Sequence, residues 1–307
     1  MSQSPQRVLV FLATGKQGRG VVSALSAAGG YTVLAQTRSA KSGAAKALAK
    51  LPGVQLVEAP YDVAQVFDKA AQLGLTTGDA VFSVQKSFDN PEKGLEGEVA
   101  QGKAIADAAA ERGLHLVYSS VGMGSGSPEA RASAERVPHF ESKMRIEAHI
   151  DELRKSHADW KVTVLRPAAF YDNFAQDQGF MGRLSLSAFA GSVHKPLQLI
   201  ACSDIGGFVR LALQAPQEYD GLEIAGDELT MEQLQEQFKD VKHRGAPMSF
   251  GFLGWALAKG VKEMREMIRF FNETGYAADI AALRQKNPEL KTWKQWLEQE
   301  YEAEHSA

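Results

Sequence analysis

Val8-Leu9-Val10-Phe11-Leu12-Ala13-Thr14-Gly15-Lys16-Gln17-Gly18-Arg19-Gly20 is the stretch on which the fold turns. Val8–Leu12 is apolar without a break, as a strand covered on both faces requires. Gly15 and Gly18 follow, and the residues to Ala28 carry a helical pattern. Gly15 lets the chain turn tightly. Gly18 lets a helix backbone come close both to its neighbouring strand and to a phosphate. The N–H groups of a first helical turn point outward, and the helix dipole favours negative charge there. A strand, a glycine-led turn and a helix at the head of a β-α chain predict a dinucleotide cradle made by Ala13, Thr14, Gly15, Lys16, Gln17 and Gly18. The bland alternative is a helix-entry turn with no ligand. A mononucleotide P-loop does not fit, because Lys16 is followed by Gln17 rather than Ser or Thr.

Outward from this turn, apolar runs alternate with helical segments. Strands are expected at Tyr31–Gln36, Val54–Glu58, Ala80–Val84, His115–Tyr118 and Val162–Arg166. Helices are expected at Ala44–Leu51, Val63–Leu73, Gly97–Arg112 and Phe140–Ser156, with Gly113 suited to end the third of these. This order implies an α/β fold, a Rossmann-type doubly wound parallel sheet with helices on both faces. After Pro167 the pattern changes. A strand at Leu197–Ala201, a helix at Asp204–Leu213 and a strand at Leu222–Ala225 are expected. Thr230 suits an N-cap for a helix over Met231–Phe238. Phe250–Phe271 reads as one amphipathic helix, and Ala278–Tyr301 as helical around Pro288. The expected division is a Rossmann domain over 1–168, to which about 197–226 returns, and a smaller, mostly helical C-terminal lobe over about 169–196 and 227–307.

The chain has 307 residues, a formal net charge of -3 and one cysteine, Cys202. Without a basic excess, direct nucleic-acid binding is not expected. A single cysteine cannot form an internal disulfide, which fits a reducing compartment. No apolar run approaches the roughly 18 residues of a membrane span. A cytoplasmic location, extending to the nucleus, is the expectation. So is a monomer or homodimer that does not enter membranes.

The second strand runs into Gln36-Thr37-Arg38-Ser39-Ala40-Lys41-Ser42. An NAD site favours an acid here for the ribose hydroxyls; an NADP site favours an arginine for the 2′-phosphate. Arg38 is placed for that pairing, with Lys41 and Ser42 as further contacts, so NADP(H) is the expected cofactor. Asp62 follows the third strand, where it can hold the adenine amino group or cap the next helix. Gln85 and Lys86 follow the fourth, where the chain passes the middle of the cofactor.

The turn Ala13–Gly18 with Thr37-Arg38 resembles that of the NmrA-like family of atypical short-chain dehydrogenases. His139-Phe140-Glu141-Ser142-Lys143 with Ile146-Glu147 resembles the family's HFxSKxxIE segment. Leu165-Arg166-Pro167-Ala168-Ala169-Phe170-Tyr171-Asp172-Asn173-Phe174 resembles its LRPxxFxENF segment. Phe270–Tyr276, Asp279-Ile280 and Pro288–Trp296 resemble its closing pattern. The likeness spans nearly the whole chain. It implies an NADP(H)-binding domain and a regulatory protein partner in the redox sensors of the family, or a small-molecule substrate in its reductases. It also implies that Lys143 reaches the nicotinamide ribose, and that Phe170, Tyr171 and Asn173 line the nicotinamide pocket. One departure is Leu12, where the family usually has glycine.

Short-chain dehydrogenases place a proton-donating tyrosine four residues before a lysine that lowers its pKa. Four residues before Lys143 stands His139. His139 can serve as the acid or be a polar residue at a helix entry. Lys143 and Tyr171 complete the candidate catalytic set. Ser119 and Ser120 end the fifth strand, and the glycine-rich Gly122–Ser127 suits a lid or a partner-binding loop. The seven histidines show no paired metal spacing, so no metal is expected. The resulting expectation is an NADP(H)-binding redox sensor or regulator acting through a protein partner. The alternative is an NADPH-dependent reductase of a quinone-, enone- or aromatic-type substrate.

Overall fold

In the computed structural model of the chain, residues 5–85, 94–174, 179–243, 245 and 260–305 are described. The chain forms two compact units. The first comprises Met1–Ser120, Ser142–Leu165 and Ser203–Leu222; the second comprises Val121–Glu141, Arg166–Cys202 and Glu223–Ala307.

The first unit is built on β1 (Gln6–Val10), β2 (Tyr31–Thr37), β3 (Val54–Glu58), β4 (Ala80–Ser83), β5 (His115–Ser119) and β6 (Val162–Pro167). The sheet order is β3-β2-β1-β4-β5-β6, with a seventh strand, β9 (Leu222–Ile224), at the edge beside β6. Pairings along the first six strands are parallel. The order reverses between β1 and β4, which makes their carboxyl ends the switch point where such sheets bind ligands. Helices α1 (Lys16–Ala28), α2 (Gly43–Leu48), α3 (Val63–Gln72) and α4 (Gly94–Glu111) connect the strands. Leu9, Leu34, Val81, Leu116 and Tyr118 of the strands, and Phe11 directly after β1, join Phe67, Ile105 and Ile146 of the helices in one buried core. Glycines let helices come very close in two places. A Cβ on Gly206, in α8 (Ile205–Gln214), would stand 2.3 Å from the Gly20 carbonyl oxygen of α1. One on Gly102 of α4 would stand 2.4 Å from Ile146 Cδ1, in α6 (Pro138–Ser156).

The second unit contains a separate three-stranded sheet, in which β8 (Leu197–Ile200) lies between β7 (Ala169–Phe170) and β10 (Asp227–Leu229). The expected return of residues 197–202 to the parallel sheet is therefore corrected. Leu199 and Ile200 pair in parallel with Ala169 and Phe170, and Leu197–Leu199 pair antiparallel with Asp227–Leu229. Helix α5 (Pro128–Glu135) was not expected. Its cap is Ser127, whose hydroxyl accepts from the Ala130 N–H, and Pro128 opens its first turn. Thr230 caps α10 (Met231–Lys242) with Gln233 in a reciprocal capping box. The expected helix over Phe250–Phe271 is described only as α11 (Lys262–Glu273); residues 250–259 lie outside the described part. The terminal stretch is two helices, α12 (Ile280–Lys286) and α13 (Trp293–His305). The break falls at Asn287-Pro288, because proline cannot continue the ladder. Among the described residues no helix is long and apolar enough to cross a membrane.

Candidate functional site

The turn after β1 is held by backbone and by one buried amide. Gly15 N–H donates to the Leu12 carbonyl at 2.8 Å, and Ala13 N–H to the Gln36 carbonyl at 3.2 Å. Gln36 is buried; its side chain accepts from Leu12 N–H at 3.1 Å and donates to the Ala59 carbonyl at 3.0 Å. Leu12 adopts a φ of 50°, a left-handed conformation that glycine would take without strain. These hydrogen bonds hold it there. Gly18 is required sterically: a Cβ on it would lie 2.2 Å from the Leu12 oxygen and 2.7 Å from Ala13 Cα. Gly15 is the N-cap of α1 and supplies no side-chain cap. No N-cap side chain therefore bonds this first turn, which lies at the positive end of a 13-residue helix. The Gln17 carboxamide is turned toward β5, where its oxygen accepts from Ser119 Oγ at 2.7 Å.

Two loops lie beside this turn. Arg38 is exposed directly after β2, and its guanidinium sits 5.0 Å from the centre of the Tyr61 ring. Lys41 is exposed. Ser42 caps α2 by accepting from Ala45 N–H, and Asp62 caps α3 by accepting from Gln65 N–H at 2.9 Å. The capping alternative for Asp62 is therefore realised.

Polar atoms collect at the ends of β4 and β5. Gln85 is buried and donates to Ser83 Oγ at 2.7 Å, while its oxygen has no partner among the described residues. The same holds for Tyr118 Oη and Ser120 Oγ. Lys86 lies outside the described residues. Burial pushes the Tyr118 hydroxyl pKa well up, and the nearby Glu147 and Glu98 carboxylates push it further; Ser120 offsets part of this without reaching hydrogen-bond geometry. Lys143 Nζ donates to Glu98 Oε1 at 2.7 Å, and Ser142 Oγ donates to Glu98 Oε2 at 3.1 Å. The Glu98 side chain is fully buried. Nothing in the sequence singled it out.

In the second unit, His139 pairs through Nδ1 with Glu263 of α11. Tyr171 is fully buried, packs against Trp293 and Trp296 with ring centres 5.4 and 5.9 Å away, and donates its hydroxyl to the Lys291 carbonyl. The expected proton donor is thus engaged in packing, and the geometry does not favour that role. Phe170 is half-buried in β7 and Asn173 is exposed in the turn that follows. Sequence reasoning also missed Glu223. Its carboxylate accepts from Met123 N–H at 2.6 Å and Ala277 N–H at 3.0 Å, tying the Gly122–Ser127 loop to the segment after α11. Burial raises the Glu223 pKa, opposed by these N–H groups and by Arg166.

A glycine-led turn at the head of a 3-2-1-4-5-6 parallel sheet defines the class: a Rossmann-fold protein. Comparison with known proteins narrows this. The profile of the NmrA-like family matches residues 4–301, and the chain belongs to that family. The NmrA-like family domain-containing oxidoreductase ptmS of Penicillium ochrochloron is 28% identical over 352 residues, which cover 99% of this chain and 100% of that protein. A solved structure of NmrA, described as a negative transcriptional regulator in complex with NADP, superposes with a TM-score of 0.68 at 17% identity. It covers 98% of this chain and 97% of its own. A second NmrA structure, in complex with NAD, gives a TM-score of 0.66 at 18% identity with the same coverage.

Proposed function

We propose that this protein binds NADP(H) in its first unit and serves as a redox sensor that reports to a protein partner. The fit to the cofactor rests on the uncapped first turn of α1, on the close approach that Gly18 permits, and on the orphaned buried oxygens of Gln85 and Ser120. The N–H groups of Ala13 to Gly18 would hold the pyrophosphate. Arg38, with Lys41 and Ser42, would meet the 2′-phosphate. Asp62 would reach the adenine amino group with the oxygen its cap leaves over. Gln85 would pass the middle of the cofactor, and Lys143 would reach the nicotinamide ribose only by sharing its ammonium with Glu98.

The sensor reading is carried by that last observation. In the enzymes of the wider class, the lysine charge acidifies a tyrosine. Here the residue four before Lys143 is His139, and the Lys143 ammonium is bound to a fully buried carboxylate. The cofactor brings a transferable hydride when bound; the chain's own residues bind and orient it. The description of NmrA as a transcriptional regulator agrees with this reading.

A reductase is the second reading. It is favoured by the pairing of His139 with Glu263, since a carboxylate-backed imidazole is suited to proton transfer. It is favoured also by the oxidoreductase designation of the Penicillium ochrochloron relative. The test follows NADPH absorbance with the purified chain over a panel of quinones, enones and aromatic acceptors, beside a calorimetric titration. Tight NADPH binding without consumption supports the sensor. Turnover that disappears in His139→Gln while binding persists overturns it.

A further inference from the structure

We infer that Tyr61 is a specificity-determining residue: its ring is a shelf that holds the Arg38 guanidinium ready for a 2′-phosphate. The inference rests on the NADP(H) reading above and deepens it. Arg38 and Tyr61 lie just beyond the ends of adjacent strands, since Thr37 of β2 pairs with Glu58 of β3. The guanidinium carbon is 5.0 Å from the ring centre, within the range at which an aromatic face attracts a cation. Tyr61 is half-buried and Arg38 is exposed.

The surroundings explain why a ring does this job. Of the acids flanking Tyr61, Asp62 accepts from Gln65 N–H at 2.9 Å as the cap of α3, and Glu58 is engaged by the loop that carries Arg38. The Glu58 carboxylate accepts from Ala40 N–H at 3.1 Å, and its carbonyl accepts from Lys69 Nζ. Among the described residues, no carboxylate forms an ion pair with Arg38. A carboxylate partner would hold the arginine equally well, but it would occupy the N–H groups and cancel the charge that a phosphate needs. A π face holds the flat side of the guanidinium and leaves its in-plane donors open for a bidentate phosphate contact. The backbone on either side of Arg38 is tied by Thr37 Oγ1 to Ser39 N–H and C=O, so the arginine stem leaves a fixed backbone. The shelf reduces the side-chain freedom that Arg38 would otherwise lose on meeting the phosphate.

The discriminating experiment is calorimetric titration of the full chain with NADPH and with NADH, using the unmodified protein, Tyr61→Ala, Tyr61→Phe, Arg38→Ala and the double variant Arg38→Ala/Tyr61→Ala. A surface cation–π contact translates to about two- to fivefold in affinity. Tyr61→Ala is expected to weaken NADPH by that factor and leave NADH unchanged. Tyr61→Phe, which keeps the ring, is expected to retain the full preference. In the Arg38→Ala background, removing Tyr61 is expected to change nothing further. Equal effects of Tyr61→Ala on both dinucleotides, or additive losses in the double variant, would overturn the shelf. A preference lost equally in Tyr61→Phe would do the same. Absence of NADPH binding by the unmodified chain would instead overturn the cofactor reading itself.

Discussion

Gly18→Ala isolates the step on which the cofactor reading depends. The added methyl would stand 2.2 Å from the Leu12 carbonyl oxygen, 2.7 Å from Ala13 Cα and 2.8 Å from the Leu12 carbonyl carbon, against an ordinary contact of 3.4–4 Å. All three atoms belong to backbone, so no side chain can swing aside. Relief requires the start of α1 and the turn to separate by roughly 1 Å, and overpacking of this kind costs about 1–3 kcal/mol. For a domain of this size, each kcal/mol lowers the melting temperature by about 2–4 °C. The same separation misaligns the N–H groups of the first turn. A hydrogen bond to a charged group contributes about 1.5–3 kcal/mol, so losing one lowers NADPH affinity about tenfold or more. Thermal melting and calorimetry on the variant measure both effects. Gly206→Ala is the control, because its Cβ would meet the Gly20 carbonyl oxygen at 2.3 Å, between α8 and α1 and away from the turn. It is expected to melt early yet bind NADPH normally. A Gly18→Ala protein with unaltered melting and affinity would refute the reasoning, and a Gly206→Ala protein that loses NADPH equally would show that binding merely follows stability.

Two further perturbations probe buried polar groups in each unit. His115 hydrogen-bonds Thr163 Oγ1 at 3.0 Å, and burial, aided by Lys161 and opposed by Asp220, pushes its pKa down to about 4 from 6.5. Between those values the unfolded chain binds a proton that the folded chain refuses. Stability is therefore fully present above pH 6.5 and is lost as the pH falls toward 4, by about 3 kcal/mol in all. Denaturant unfolding across this range should show a smaller slope for His115→Gln; an unchanged slope would remove His115 as the cause. Glu223→Ala leaves the Met123 and Ala277 N–H groups without their acceptor, at about 1–3 kcal/mol for each that stays buried. Hydrogen exchange at the Met123 amide is expected to quicken, and exchange as slow as in the unmodified chain would show that another contact holds the loop.

Sequence pattern conveyed the first unit well because its signals are local. An unbroken apolar run, two glycines and a helical period identify β1, the turn and α1 within 20 residues of each other. Thr230 announces α10 in the same way. Helix α5 carries an equally local signal, Ser127-Pro128-Glu129, at the end of the glycine-rich loop Gly122–Ser127. The rest depended on contacts distant in the chain. His139 meets Glu263, 124 residues later. Tyr171 meets the Lys291 carbonyl 120 residues on. Ala278 is tied by both N–H and C=O to the Gln198 carboxamide across 80 residues. No window of sequence contains both partners of such a pair. Strands of two or three residues, such as β7 and β10, are equally silent, since neither shows a full period of alternation.

Glu98 best explains why a lysine in the expected place does not by itself imply the expected chemistry. A glutamate with a fully buried side chain must be neutralised or protonated, and removing its partner would leave a charge without compensation. Lys143 and Ser142 meet that need from adjacent positions on α6. In a hydride-transferring relative of the wider class, the lysine charge lowers the pKa of a hydroxyl and stabilises the anion that forms when its proton leaves. Here the buried hydroxyl of this region is that of Tyr118. Its pKa is driven up by burial and by two glutamates, so its proton is held more firmly than in water. The Tyr118 site resists a developing phenolate. Such surroundings give little help to a proton donor.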